Sequence, residues 1–283
     1  MKTILLLTDF SKKADHAADM ALSLALKSQS NLLLYNSFLV PEILPLAETV
    51  AWNGDTFSVI EEDSTNRLKK LAERLENKVD VSGSSFKPSI TFLSQMGTIA
   101  DTISAVVEKH SIWMAIMGTK GDNGVSNFLF GSNAYAAIDK AHCPVLLVPE
   151  TAPIKRIEKI ALATDLKLAD SARVDFLTEI AAIYNADIVI THVSSHDTPT
   201  DRELIKSMGL INQLVSRLNK TPSFHDIKGA DVETRLEEFS MHENVDILAV
   251  IHRKHNLLER IFHSSTTKVL ISHSKVPLLV LPG

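Results

Sequence analysis

Two short stretches of this 283-residue chain carry residue types suited to chemistry on a phosphate. The first is Gly118, two residues, Gly121, nine residues, then Gly131-Ser132. Glycine has no Cβ, so a backbone built from it can approach an anion closely. A helix starting at Gly131-Ser132 would add free N–H groups and partial positive charge, both suited to phosphate. The Ser132 hydroxyl supplies a further donor, and Lys120 inside the loop either reaches the phosphate or stands in solvent. The second stretch is Thr8-Asp9-Phe10-Ser11, an acidic residue directly after the apolar run Ile4-Leu5-Leu6-Leu7. Its carboxylate would hold a loop, cap the next helix or face a ligand.

The elements that position these residues occur twice. Ile4-Leu5-Leu6-Leu7-Thr8-Asp9 has a counterpart in Ile160-Ala161-Leu162-Ala163-Thr164-Asp165. Asn31 to Tyr35 matches Ala186 to His192, and Gly97-Thr98-Ile99-Ala100-Asp101 matches Gly229-Ala230-Asp231-Val232-Glu233. Trp113 to Met117 matches Asp246 to Ile251, and Pro144 to Pro149 matches Pro277 to Pro282. Five matches in one order describe a duplication, with its junction near Glu150 to Arg156 between Pro149 and Pro153. The domains are expected at 1–150 and 156–283. In each copy, apolar strand-like runs alternate with helical patterns. After Ser11, a plausible N-cap, Ala14, Ala17, Ala18, Ala21 and Ala25 recur at helical spacing. Leu68, Leu71, Leu75 and Val79 do the same, as do Ile99, Ile103, Val106 and Val107. Continuous apolar strands separated by helices imply an α/β fold with a parallel sheet covered on both faces. Each copy is expected to form a five-stranded parallel-sheet sandwich. Ligands of such open sheets bind outside the carboxyl ends of the strands, where Asp9 and Gly118 fall.

This glycine spacing after a fourth strand, with Thr8-Asp9 ending the first and Cys143-Pro144-Val145 opening the fifth, resembles the ATP-binding universal stress proteins. The resemblance covers both halves of the chain. It implies two tandem Rossmann-like domains of the adenine-nucleotide α-hydrolase type. It also implies a site in the first copy built from Asp9, Asn36, Met117, Gly118, Lys120, Gly121, Gly131, Ser132 and Asn133. In that family the first-strand aspartate sits by the adenosine, a residue after the second strand contacts adenine, and the glycine loop holds the phosphates. Tyr35-Asn36 is read as standing where family members usually have His-Val. The resemblance implies ATP or another adenine nucleotide as ligand, with Mg2+ as a candidate companion and at most slow hydrolysis. It further implies that the two copies pair within the chain through their last strands, and it leaves a homodimer open.

The second copy keeps Asp165 and His192-Val193, but its loop reads Ile251-His252-Arg253-Lys254-His255 and then His263-Ser264. Each motif glycine is read as replaced by histidine, which fills the space a phosphate would take, so no standard ATP site is expected there. Eight of the eleven histidines lie in this copy, which makes a zinc site conceivable at His252, His255 and His263. They sit on a predicted loop with no obvious acidic or cysteine partner, so no metal is assigned.

Other classes fit less well. The net charge of −5 gives no reason to expect nucleic acid or a membrane surface as partner. Cys143 is the single cysteine, so no internal disulfide or cysteine zinc cluster forms, and a reducing cytoplasm is the expected setting. The apolar start is about four residues long, where a signal peptide needs roughly 7–15. Pyrophosphatases of the α-hydrolase group carry a Ser-Gly-Gly type loop after the first strand, where this chain has Thr8-Asp9-Phe10-Ser11. A receiver domain needs an aspartate after its third strand, where this chain has Leu93-Ser94-Gln95. A nucleotide-responsive stress or regulatory protein is the leading expectation, and a partner-binding module with a structural nucleotide is the alternative. The copies also differ in length. Asp9 and Asp165 are 156 residues apart, but Gly97 and Gly229 only 132. The extra residues are placed around Phe38 to Phe57, an apolar segment expected to fold over the site, to join chains or to pack on its own domain.

Overall fold

The computed structural model describes residues 1–40, 54–119, 132–154, 156–166, 171–194, 201–217, 220–252 and 276–282. The described elements run β1 (Thr3–Leu7), α1 (Lys12–Ser28), β2 (Asn31–Phe38), α2 (Gly54–Ser82), β3 (Ile90–Met96), α3 (Ile99–Lys109), β4 (Ile112–Gly118), α4 (Ser132–Lys140) and β5 (Val145–Val148). They continue with β6 (Lys159–Ala163), α5 (Ser171–Tyr184), β7 (Asp187–Ser194), α6 (Asp201–Val215), β8 (Ser223–Lys228), α7 (Val232–His242), β9 (Ile247–Ile251) and β10 (Leu278–Leu281). The fold is α/β, built from two tandem copies. No helix among the described residues is long and apolar enough to cross a membrane.

Two compact units emerge, the first from Met1–Gly118 with Ser132–Cys143, the second holding Pro144–Gly283. In the first, the strands lie in the order β3-β2-β1-β4, and all three pairings are parallel. Their side chains show why. Ile4, Leu5, Leu6, Leu32, Leu34, Ala115 and Ile116 are fully buried, which requires cover on both faces of the sheet. In the second unit the order is β5-β10-β9-β6-β7-β8. Here β5 runs antiparallel to β10, with Leu147 opposite Leu278, Leu146 opposite Leu279 and Val145 opposite Val280. The last strand of one sequence copy thus pairs with the last strand of the other, as the resemblance implied.

Local signals place the helices. Ser11 caps α1, its side chain accepting from the Ala14 N–H. Thr98 and Asp101 form a capping box at α3. Gly97 and Gly229 turn the chain from strand to helix at φ 128° and 159°, where a Cβ is strained. The backbone repeats faithfully. Gln29 and Asn185, after the first helix of each copy, take φ 53° and 54°. Gly97 N–H donates to Phe38 O at 2.9 Å, and Gly229 N–H to Ser194 O at 3.0 Å.

The added length of the first copy is partly helix. α2 has 29 residues against 15 in α6. The 132-residue step from Gly97 to Gly229 also relates β3 to β8, since Leu33 pairs with Thr91 as Val189 pairs with Ser223. By that step Ser195 is level with Asp63, so the added residues lie before Asp63 and include the start of α2 up to Glu62. Phe57, in this added part, packs its ring 5.9 Å from Phe38 at the end of β2. The extra segment is therefore not confined to Phe38–Phe57; residues 41–53 of it lie outside the described residues.

Candidate functional site

At the carboxyl end of β1 the chain makes a tight turn. Thr8 N–H donates to Tyr35 O at 3.0 Å, and Thr8 Oγ1 accepts from Phe10 N–H at 3.0 Å. Phe10 is held in the left-handed region at φ 61°, a conformation uncommon outside glycine. Asp9 is exposed, and its Oδ1 accepts from Ser11 N–H at 2.9 Å. The carboxylate thus steadies the approach to α1 while remaining open to solvent.

Asn36 behaves differently from the residue the spacing suggested. It lies within β2, buried, with both ends of its amide engaged. Nδ2 donates to Thr8 O at 2.7 Å, and Oδ1 accepts from Ser64 Oγ of α2 at 2.8 Å. Ser94 Oγ on β3 donates to Ser64 Oγ at 2.6 Å. This chain of hydrogen bonds ties β1, β2, α2 and β3 together beneath the turn that carries Asp9. Next to it Tyr35 is fully buried, and that burial raises its phenol above the ordinary value against a lowering hydrogen bond from Thr102.

Strand register corrects the alignment of the two copies by one residue. Leu7 pairs with Tyr35, and Ala163 with Thr191. Asn36 is therefore the counterpart of His192, and Ser37 of Val193; Tyr35 does not match the histidine. The chemistry agrees, because His192 Nδ1 lies 2.8 Å from Thr164 O, the bond that Asn36 makes to Thr8 O. A carbonyl only accepts, so Nδ1 carries the proton. The shift also moves the glycine comparison. Leu7 pairs with Met117, and Ala163 with Val250, so the counterpart of Gly118 is Ile251, not His252. His252 instead matches Thr119: each donates its N–H to the last strand of its copy, to Leu281 O at 2.8 Å and Val148 O at 3.0 Å.

Gly118 is the last residue of β4 and Ser132 the first of α4. A Cβ on Gly118 would lie 2.8 Å from Lys13 O and 3.0 Å from Lys13 C, both backbone atoms of α1. This glycine is thus required by packing whatever the loop beyond it holds. Met117 is half-buried on β4, and Ser132 and Asn133 are exposed at the start of α4. Lys120, Gly121 and Gly131 lie outside the described residues, as do His255 and His263. Among the described residues no group of three His, Cys, Asp or Glu could hold a metal ion. Cys143 is buried, and burial pushes its thiol up to about 12, against a small lowering from a hydrogen bond with the Ala115 backbone.

The sequence reading missed Ser64, Ser94 and Arg67. For Ser64 a signal existed: it extends the apolar stripe Leu68, Leu71, Leu75 and Val79 by one turn, and a polar residue in such a stripe needs a partner. The second copy keeps the turn. Thr164 Oγ1 accepts from Leu166 N–H at 3.0 Å, with Leu166 at φ 56°. The counterpart of Ser94 is Asp226, whose Oδ2 is bound by Lys228 at 2.5 Å and by Ser194 Oγ at 3.3 Å.

A parallel sheet with this turn at the end of β1 and a glycine at the end of β4 defines an open-sheet α/β protein, and comparison with known proteins makes that class specific. The family model for the universal stress protein family matches residues 1–149 and again 156–282. The chain belongs to the universal stress protein family, in a tandem arrangement. It is 28% identical over 149 residues to universal stress protein MJ0531 of Methanocaldococcus jannaschii, covering 52% of this chain and 81% of that one. In fold it resembles a universal stress protein from Archaeoglobus fulgidus DSM 4304, with a TM-score of 0.74 at 14% identity, over 99% of this chain and 98% of that one. A putative universal stress protein from Pseudomonas aeruginosa UCBPP-PA14 matches over 100% and 93% with a TM-score of 0.57 at 15% identity.

Proposed function

We propose that the first copy binds an adenine nucleotide, ATP above others, and that the chain is a nucleotide-responsive stress or regulatory protein. One observation carries the reading. The motif from Gly118 to Ser132 begins on the last residue of β4 and ends on the first residue of α4, where an open parallel sheet takes its ligand. In this proposal Asp9 faces the ribose side of the adenosine. Ser37 and the backbone around Asn36 border the base. The run Met117, Gly118, Lys120, Gly121, Gly131, Ser132 and Asn133 holds the phosphates, with Mg2+ as their counter-ion. The Asn36 side chain does not touch the ligand; it fixes the turn that does. The domains of the proposal are 1–150 and 156–283, and the second copy, with Ile251 in place of Gly118, binds no nucleotide in the same way.

Native mass spectrometry of the purified chain identifies any adenylate carried through. Calorimetry with ATP should give a stoichiometry near one per chain. Gly121→Val should abolish binding with the fold retained, because its side chain takes up the space of a phosphate oxygen. Two equal sites, no affinity for any adenine nucleotide, or normal binding by Gly121→Val would refute the proposal.

A further inference from the structure

The N-terminal half of α2 delivers two side chains to the carboxyl ends of β1 and β2. Ser64 anchors it to Asn36 at 2.8 Å. One turn on, Arg67 lays its guanidinium 4.2 Å from the centre of the Phe10 ring. Phe10 is itself fixed by the left-handed turn beside Asp9. The arginine is lightly engaged. Its one ion pair is to Asp63 at 3.8 Å, and its side chain is 48% exposed. Among the described residues its N–H groups meet no hydrogen-bond acceptor. A planar cation held against one aromatic ring, with its side chain half exposed, is set up to take a second flat π-system or a hydroxyl-rich group.

We infer that Arg67 recognises the base-and-ribose end of the bound nucleotide, closing over it beside Phe10 and Asp9; this rests on the adenine-nucleotide reading above. The strand order separates this end from the phosphates. α2 packs on β2 and β3, whereas the glycine motif leaves β4, which lies on the other side of β1. Arg67 therefore stands on the side of β1 away from the phosphate loop. In the second copy Leu166 stands in the place of Phe10, so the turn offers no aromatic ring to hold a guanidinium. Arg67 thus stands at the ligand edge of the copy that keeps the glycine motif.

The test measures binding of adenosine, AMP, ADP and ATP to the full chain, at low and high salt, for the wild type, Arg67→Ala and Arg67→Lys. Arg67→Ala should weaken all four by one common factor of about 3- to 30-fold, the range of a desolvated cation–π contact. The factor should change little with salt. Arg67→Lys keeps the charge and loses the plane, so it should stay near the alanine variant. Circular dichroism checks that α2 persists, and Arg67→Gln repeats the comparison if the alanine variant loses helix. Unchanged affinity in the variants would overturn the inference. So would a loss that grows with each phosphate and fades in high salt, or full rescue by lysine. A wild type that binds none of the four would instead sink the nucleotide reading itself.

Discussion

Replacing Asn36 by alanine should cost the first copy stability out of proportion to the atoms removed. The amide is buried and makes two short bonds, to Thr8 O at 2.7 Å and from Ser64 Oγ at 2.8 Å. Each is worth about 1 kcal/mol net, and a buried group left without its partner costs about 1–3 kcal/mol. Thr8 O loses its side-chain donor and Ser64 its acceptor, so Asn36→Ala should destabilise by about 2–4 kcal/mol. With a urea m-value of about 2 kcal/mol/M, the midpoint should fall by about 1–2 M. Both tryptophans, Trp52 and Trp113, lie in the first copy, so tryptophan fluorescence follows its unfolding selectively. Asn36→His installs the residue found at the matching position of the second copy, where His192 keeps the bond to Thr164 O at 2.8 Å. It should lose less than alanine. Asn36→Asp tests the direction of the bond. A carboxylate still accepts from Ser64 but faces the Thr8 carbonyl with no proton to give. Its folded pKa must then rise above its unfolded value, so the charged form is the penalised one. The loss relative to wild type should be smallest below the unfolded pKa of about 4, and should grow as pH rises through the folded value. An alanine variant within about 0.5 kcal/mol of wild type, or a histidine variant no better than alanine, would refute this account of Asn36.

Gly118→Ala should destabilise the first copy by about 1–3 kcal/mol even without ligand, because its Cβ would lie 2.8 Å from the Lys13 backbone oxygen and neither backbone can yield cheaply. An unchanged urea midpoint for that variant would show that α1 and β4 separate more easily than their contact suggests. Cys143, buried and with its thiol pushed up to about 12, carries almost no thiolate at neutral pH and should resist alkylation until the chain unfolds; rapid labelling of the native protein would contradict that. A chain ending at residue 152 lacks β10, the antiparallel partner of β5, and exposes Val145–Val148 as an apolar edge. It should dimerise or aggregate in analytical ultracentrifugation, and a stable monomer at high concentration would count against the pairing as a stabilising contact.

The α/β class and the duplication were legible because they rest on periodic features. Short apolar runs such as Ile4 to Leu7, set between helical patterns, fit strands covered on both faces, and Thr98 and Ser11 mark helix starts by their own side-chain chemistry. The one-residue slip between the copies was not legible. Tyr35 and Thr191 occupy matching positions yet share no composition signal, and only the pairing of Leu7 with Tyr35 and Ala163 with Thr191 fixes the register. Ser64 and Arg67 were not legible for a different reason. Apolar residues from Phe38 to Phe57 drew attention to a segment, while Ser64, which bonds Asn36, and Arg67, which lies against Phe10, stand further on in a stretch dense with charge that reads as an ordinary solvated helix face.

The register also changes what the Thr-Asp signature is worth. Both copies keep it, and both use the threonine identically: Thr8 and Thr164 each accept from the residue two positions on, and each donates its own N–H across to the next strand at 3.0 Å. Phe10 and Leu166 share the left-handed conformation that results, at φ 61° and 56°. A feature that builds the same turn with and without an intact glycine motif is retained by backbone hydrogen bonding, so it cannot by itself mark a nucleotide site. What distinguishes the copies is around the turn. One has glycine at the end of its fourth strand where the other has Ile251, and one has the Phe10 ring beside Arg67 where the other has Leu166. Exchanging the signature alone, by Asp165→Asn in the second copy, should therefore leave nucleotide stoichiometry and affinity as they are. Asp9→Asn in the first should weaken binding. Equal losses from the two substitutions, read by calorimetry on the full chain, would mean that the second copy holds ligand after all.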